Sequence, residues 1–200
     1  MSATSAPFGL RPAFHPTGLD RAQALANVIE SGYAANILKG QAVKLTAAAG
    51  YIVVASAGDP LFGVFDGVEW TDTTGRRRVS NYWPTGTAYQ SGSLIAYVWT
   101  DPQVVYEIQA TGSIAQTAIG AEFDISNATA GSTTTGLSQC TMDTTAASAN
   151  NSKQLRVVNI APYPGNDWGD AFTIVRVQIA EHQYAGYYNT SAVVYPATVA

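Results

Sequence analysis

The sequence predicts an all-β protein, a β-barrel or β-sandwich with an extended N-terminal arm and at most one short helix. Short runs crowded with β-branched and aromatic residues recur from residue 37 onward, as a pleated, half-buried surface favours. Turn signals separate them, for instance Gly58-Asp59-Pro60. No helical patterns alternate with these runs, so a parallel α/β arrangement is not expected.

The segment 1–16 holds three prolines and one charged side chain, Arg11. Each proline removes a backbone donor and holds the residue before it extended. The segment therefore reads as an arm. Phe8, Leu10 and Phe14 are its apolar anchors, directed to a groove on a neighbour or to one end of its own domain. Leu19, Ala22, Leu25, Ala26 and Ile29 then fall near helical spacing, which predicts a short helix over 20–30 with Gly32 as its stop. Arm and helix make up a first segment, 1–35.

The β-barrel domain is expected over 36–183. Its strands are read at 41–45, 51–55, 61–65, 94–100, 104–108, 155–160 and 172–179. Phe172, Ile174, Val177 and Ile179 mark the last as half-buried. Residues 126–152 are rich in Thr, Ser, Ala and Gly and nearly free of large apolar side chains. They read as a long mobile loop or an exposed edge region. The tail, 184–200, carries Tyr184, Tyr187, Tyr188 and Tyr195 and lies either on a neighbouring subunit or back on its own barrel.

Composition narrows the function classes. Of 200 residues only 12% are charged, against about 25% in an ordinary soluble domain, while 46% are hydrophobic. The net charge of −4 and this apolar content exclude a disordered chain. No apolar run approaches the roughly 20 residues that cross a bilayer, so no membrane partner is expected. The first residues lack the basic and apolar regions of a secretory signal. One cysteine, Cys140, allows no intrachain disulfide. Low charge in a folded chain points to surface held against partners.

Lys and Arg are missing from 79–152, where five acids stand: Asp101, Glu107, Glu122, Asp124 and Asp143. The one basic cluster is Arg76-Arg77-Arg78 after a Thr-Gly turn signal. It is either a contact for an acidic surface or a solvated strand start. With a sequence pI near 5.0, nucleic acid is not an expected partner.

Catalytic patterns are sparse. His15 and His182 are far apart in sequence, and one cysteine makes no metal-binding pair. Neither a phosphate-binding loop nor a nucleophile elbow follows any strand. Asp66, Glu69 and Asp72 form a candidate cation triplet without the pattern of a tight calcium loop. Glu107 and Glu122 are a candidate glycosidase pair only if the fold brings them together. Asn127, Asn150 and Asn189 begin glycosylation sequons, which chance explains in a Thr/Ser-rich chain. Trp168 beside Asn166, Asp167 and Asp170 has the composition of a sugar-binding surface. The alternative for the four tryptophans (Trp70, Trp83, Trp99 and Trp168) is to plug barrel ends with their N–H groups satisfied at the rim. The expectation is no enzyme, no cofactor and no metal.

Several stretches carry a family resemblance: SAPFGLRPAFHPTG, ANILKGQAVKL, AGDPLFGVFDGVEWTDTTGRRRVSNYWP and LIAYVWTDPQVVYEIQATGSIAQTAIG, with LRVVNIAPYPGNDWGDAFTIVRVQIAEHQY as closing strands. The K-G-Q-x-V and G-V-F-x-G-V runs are their most specific parts. In this texture the chain resembles the capsid decoration (cement) or minor head proteins of tailed bacteriophages. The resemblance implies a β-barrel or β-tulip-like domain that oligomerises, as trimers more often than dimers, on the outer face of the virion shell. It would be made in the host cytoplasm and clamp adjacent major capsid subunits. Phe8, Leu10, Arg11, Phe14, Arg76, Arg77, Arg78, Tyr187 and Tyr188 are the candidate partner contacts. The other function expected is a carbohydrate- or receptor-binding module of a phage tail or head fibre.

Overall fold

The computed structural model describes residues 2–18, 21–46, 49–145 and 153–185. Its strands are β1 (Arg11–Phe14), β2 (Gln23–Ala26), β3 (Ala42–Leu45), β4 (Ile52–Val54), β5 (Gly63–Thr71), β6 (Arg77–Ser80), β7 (Ile95–Trp99) and β8 (Val105–Gln109). They continue as β9 (Glu122–Phe123), β10 (Ile125–Ser126), β11 (Thr141–Met142), β12 (Leu155–Ile160) and β13 (Ile174–Ile179). One sheet has the order β1-β8-β13-β12-β9. The other runs β2-β7-β5-β3-β4, with β6 also paired to β5. β10 and β11 make a separate short pair. The protein is all-β, as its turn-punctuated apolar runs predict.

Period-two alternation sorts the side chains into two cores. On β3, Ala42 faces the first core and Val43 the second; on β5, Val64 and Phe65 divide in the same way. The larger sheet is thus buried on both faces. One face meets Tyr106, Ile108, Leu155, Val157, Val175 and Val177 of the five-stranded sheet. The other packs against Ile29, Ile37, Trp83 and Leu94, which connecting segments supply. Burial as complete as that of Phe65 contributes about 1.5–3 kcal/mol per large side chain.

Phe65, Val68 and Trp70 share the second core although their parity differs. A bulge between Phe65 and Gly67, opposite β7, inserts one residue and resets the alternation. The same strand can therefore serve both halves of its length with one apolar face.

The helix expected over 20–30 is replaced by β2. Gln23–Ala26 pairs antiparallel with β7, from Gln23↔Val98 to Ala26↔Ile95. Leu25 and Val28 pack on the second core and Ile29 lies inside it, so burial of the apolar positions is met by a strand and turn instead. Asn27, at φ 54°, breaks any helical continuation.

The N-terminal arm lies on its own domain. β1 pairs with β8, with Pro12 on an edge strand where its missing N–H costs no ladder bond. Leu10 is only 1% exposed and belongs to the first core. Gly9, at φ +75°, lets the chain pass close to residue 40, where an added Cβ would stand 2.6 Å from the Gly40 carbonyl. Farther out, Ser2 accepts from the Phe172 amide at 2.7 Å.

The Thr/Ser-rich excursion is also largely folded, as far as its described part, 126–145. Ser138, Cys140 and Met142 are buried. Gln41 holds the segment at both ends of its amide, donating to Asn127 at 2.8 Å and accepting from Ser138 at 2.9 Å. Composition concealed this packing because two isolated apolar side chains, Cys140 and Met142, together with amide and hydroxyl contacts supply it, without a periodic apolar run.

Candidate functional site

Arg11 on β1, Glu107 on β8 and Arg176 on β13 are register partners in one row across the five-stranded sheet. Arg11 donates to Glu107 at 2.7 Å and Arg176 Nε lies 3.3 Å from its other oxygen. The Tyr163 hydroxyl also donates to this carboxylate. Burial pushes the Glu107 carboxyl up, but the Tyr163 and Arg11 hydrogen bonds and the arginine charges outweigh it and hold the group below its ordinary range. Arg11 further covers the Phe8 ring and Arg176 the Phe14 ring, with centroids at 4.8 and 5.4 Å. The structure thus gathers Phe8, Arg11 and Phe14 on one patch, while Leu10 is turned into the core. Tyr163 and Arg176 were not singled out from the sequence; strand alternation on β13 was the available signal for Arg176.

A second row, Gln178↔Arg156↔Glu122, crosses β13, β12 and β9. Arg156 pairs with Glu122 at 2.6 Å, and that carboxylate is 1% exposed. Glu107 and Glu122 are therefore separated by three strand spacings, about 14 Å. Paired glycosidase carboxylates stand roughly 5–9.5 Å apart. Each carboxylate is instead sequestered by its own arginine.

The candidate cation triplet disperses in the same way. Asp66 pairs with Lys39 at 2.8 Å, Glu69 with Arg77 at 2.5 Å and Asp72 with Arg78 at 2.9 Å. Asp72 also accepts from Thr74 and the Arg76 amide, the bonds that hold its carboxyl well below the ordinary range. Its role is to shape the turn into β6. The basic cluster leads into that strand: Arg76 precedes it, Arg77 and Arg78 open it, and these and Val79 are all exposed, Val79 at 73%. β6 pairs only with β5 among the described strands, so its outer edge is open.

The remaining candidates serve the fold. Asn166 donates to the Ala161 and Ile174 carbonyls, each at 2.8 Å, and accepts from the Ile174 amide. Asp170 accepts from Ser2 and the Asp167 amide. Trp168 is half-buried and packs against the first core. Trp83 and Trp70 meet edge to face inside the second core, at 5.3 Å. The rim hydrogen bonds expected for the indoles are not made by Trp83 or Trp99, whose N–H groups are buried without a partner. Asn127 spends its amide on the Ala55 carbonyl at 2.7 Å. Burial raises the Cys140 thiol to about 12, which makes it inert. Tyr187, Tyr188, Asn150 and Asn189 lie outside the described residues.

His15 and His182 approach one carboxylate, Asp101. His15 Nε2 comes within 3.2 Å of it without the alignment of a hydrogen bond. No group of three or more potential metal ligands assembles among the described residues. Comparison of the chain with protein-family models, with curated proteins and with solved structures returns no match.

Proposed function

We propose that this protein is a non-enzymatic structural component of a phage head, seated on the outside of the shell as a homo-oligomer and clamping adjacent major capsid subunits. The single observation that carries most weight is β6. It is an exposed edge strand that opens with Arg77 and Arg78, directly after Arg76, and continues with the exposed Val79. An open edge offers main-chain hydrogen bonds to an incoming strand, and Arg76, which unlike Arg77 and Arg78 has no ion pair among the described residues, adds a positive charge that favours an acidic partner surface. Clamping needs area and complementarity, with no reacting group. Pairing of Glu107 and Glu122 with arginines favours this reading over hydrolysis, because it removes the carboxylates that acid–base chemistry would use. The family resemblance supplies the shell as the partner.

The test is binding of the full-length protein to expanded heads of its cognate phage. The protein is expected to sediment with the heads and raise their melting temperature. A double variant, Arg76→Glu with Val79→Asp, is expected to bind at least tenfold more weakly while its circular dichroism stays unchanged. Heads that a folded wild-type sample does not bind overturn the reading. Equal binding by the variant removes β6 from the interface.

A further inference from the structure

We propose that the cleft between the turn at 27–31 and the turn at 89–92 is a binding site for a neutral saccharide unit. Three stretches distant in sequence converge on it. Asn27, Glu30 and Ser31 follow β2, Tyr51 precedes β4, and Tyr89, Ser91 and Gly92 precede β7. The cleft measures about 490 Å³, within the roughly 300–1,000 Å³ of small-molecule sites.

Its walls are held by the fold. Tyr89 donates to the Ile29 carbonyl at 2.6 Å, and the Gly32 amide donates to Thr87 at 2.9 Å. The Ile52 amide, beside Tyr51, donates to Val28 at 2.7 Å. Ser93 closes the opposite turn through its hydroxyl, 2.6 Å from the Gln90 carbonyl. Asn27 is the one non-glycine residue with positive φ among the described residues, and its amide is fixed to Leu94 at 2.9 Å. Such a conformation is tolerated by asparagine and concentrates at functional sites.

What the walls present is unspent. Among the described residues, the side chains of Asn27, Glu30, Ser31 and Ser91 and the Tyr51 hydroxyl make no hydrogen bond or ion pair within the protein. Around Trp168, by contrast, the side chains of Asn166 and Asp170 are consumed internally. Tyr89 is held above its ordinary value by burial first and by its neighbours Tyr51 and Glu30 next, which places the three groups within electrostatic reach.

The set of donors and acceptors selects the ligand class. Sugar hydroxyls both donate and accept, matching a carboxylate, a carboxamide and three hydroxyls, and an apolar sugar face fits a tyrosine ring. An ammonium would use Glu30 and the rings but leave the amide N–H donors unmatched. An anion would meet the Glu30 charge. Among the described residues Glu30 is the one acid lining the cleft, where paired-carboxylate hydrolysis would use two, so binding is the activity proposed. This inference does not depend on the shell reading: sugar binding without head binding, or the reverse, separates the two.

The experiment is saturation-transfer NMR and calorimetry of the full chain with glucose, galactose, N-acetylglucosamine and maltose, with tetramethylammonium as the competing class. Saturable binding of at least one sugar is expected. Tyr51→Ala and Glu30→Gln should each weaken it at least tenfold with an unchanged melting temperature. Tyr51→Phe, which keeps the ring, should weaken it less and covers the case in which Tyr51→Ala misfolds. Trp168→Phe should leave it unchanged. No transfer from any of the four sugars, tighter binding of tetramethylammonium, or full binding by the Glu30 and Tyr51 variants overturns the inference.

Discussion

Arg11 and Glu107 stand opposite each other across β1 and β8, and their side chains meet at 2.7 Å on the sheet face that carries Arg176. The contact is asymmetric. Arg11 is half exposed, whereas the Glu107 side chain is only 6% exposed. A carboxylate buried to that extent is stable as an ion only while its donors remain. Arg11 therefore stabilises the arm by completing the solvation of Glu107 as much as by Coulomb attraction.

That asymmetry makes the two single substitutions unequal. Arg11→Met removes the guanidinium from Glu107 and from the Phe8 ring and leaves Glu107 with Arg176 and Tyr163, so a loss of about 1–2 kcal/mol is expected. Glu107→Gln leaves two arginines facing a neutral amide and is expected to cost more, about 2–3 kcal/mol. The double variant should be less destabilised than the sum of the singles, since each removes the partner of the other. Urea unfolding of the four proteins measures the cycle; strict additivity would show that the pair is not coupled.

Gly63, at the start of β5, has a steric role distinct from that of the turn glycines. Its backbone is not in the left-handed region, yet a Cβ there would stand 2.1 Å from the Trp99 carbonyl, a backbone atom with no side-chain freedom. Gly63→Ala is expected to push β5 away from β7 and cost about 3 kcal/mol or more. Gly86, at φ +68° with open space around it, provides the contrast. There alanine meets only the conformational penalty, about 1–2 kcal/mol. Thermal melts of both variants test the ranking, and a Gly63 variant as stable as the Gly86 variant would contradict the close approach.

Most strands were legible in the sequence because their apolar residues alternate within a few positions, as 41–45 and 172–179 do. β2 was not, because Leu25 and Ile29 satisfy helical spacing as well as they satisfy a strand followed by a turn. Pairing with β7, a contact distant in sequence, decides between them. The bulge at Phe65 was equally hidden, since the parity change shows only once β7 is placed beside β5. The segment around Ser138 was misread for a related reason: its anchor is the Gln41 amide, and single hydrogen-bond partners leave no periodic signal. Of the candidate partner residues, the arginines of β6 are exposed as a short basic run suggests, and Leu10 is not. The polar cleft leaves no sequence signal because its walls come from separate turns, none with a motif of its own.

His182 makes acid sensitivity a direct consequence of the fold. The ring is buried, its Nδ1 accepts from the Tyr184 amide at 3.0 Å and its Nε2 has no well-aligned partner. Burial lowers its pKa, and the Asp101 charge and the Thr100 carbonyl only partly offset that. The folded state thus prefers the neutral ring. Stability is complete above the unfolded value near 6.5 and is lost as pH falls from there through the lowered folded value, by about 1.4 kcal/mol for each unit of depression. Neighbouring Glu181 acts in the opposite sense. Burial and then the Asp124 and Glu122 charges raise its carboxyl, so its protonation favours the folded state as pH falls toward its range. Asp101, held low by the Gln103 amide and by His15, contributes only at lower pH, where its stabilisation is lost on protonation. Comparing His182→Gln with the wild type isolates the ring, because both proteins retain Glu181, Asp101 and His15. Urea midpoints measured from pH 7.5 to pH 5 are expected to fall for the wild type and to stay flatter for the variant. Parallel curves would show that the imidazole is not held neutral by its burial.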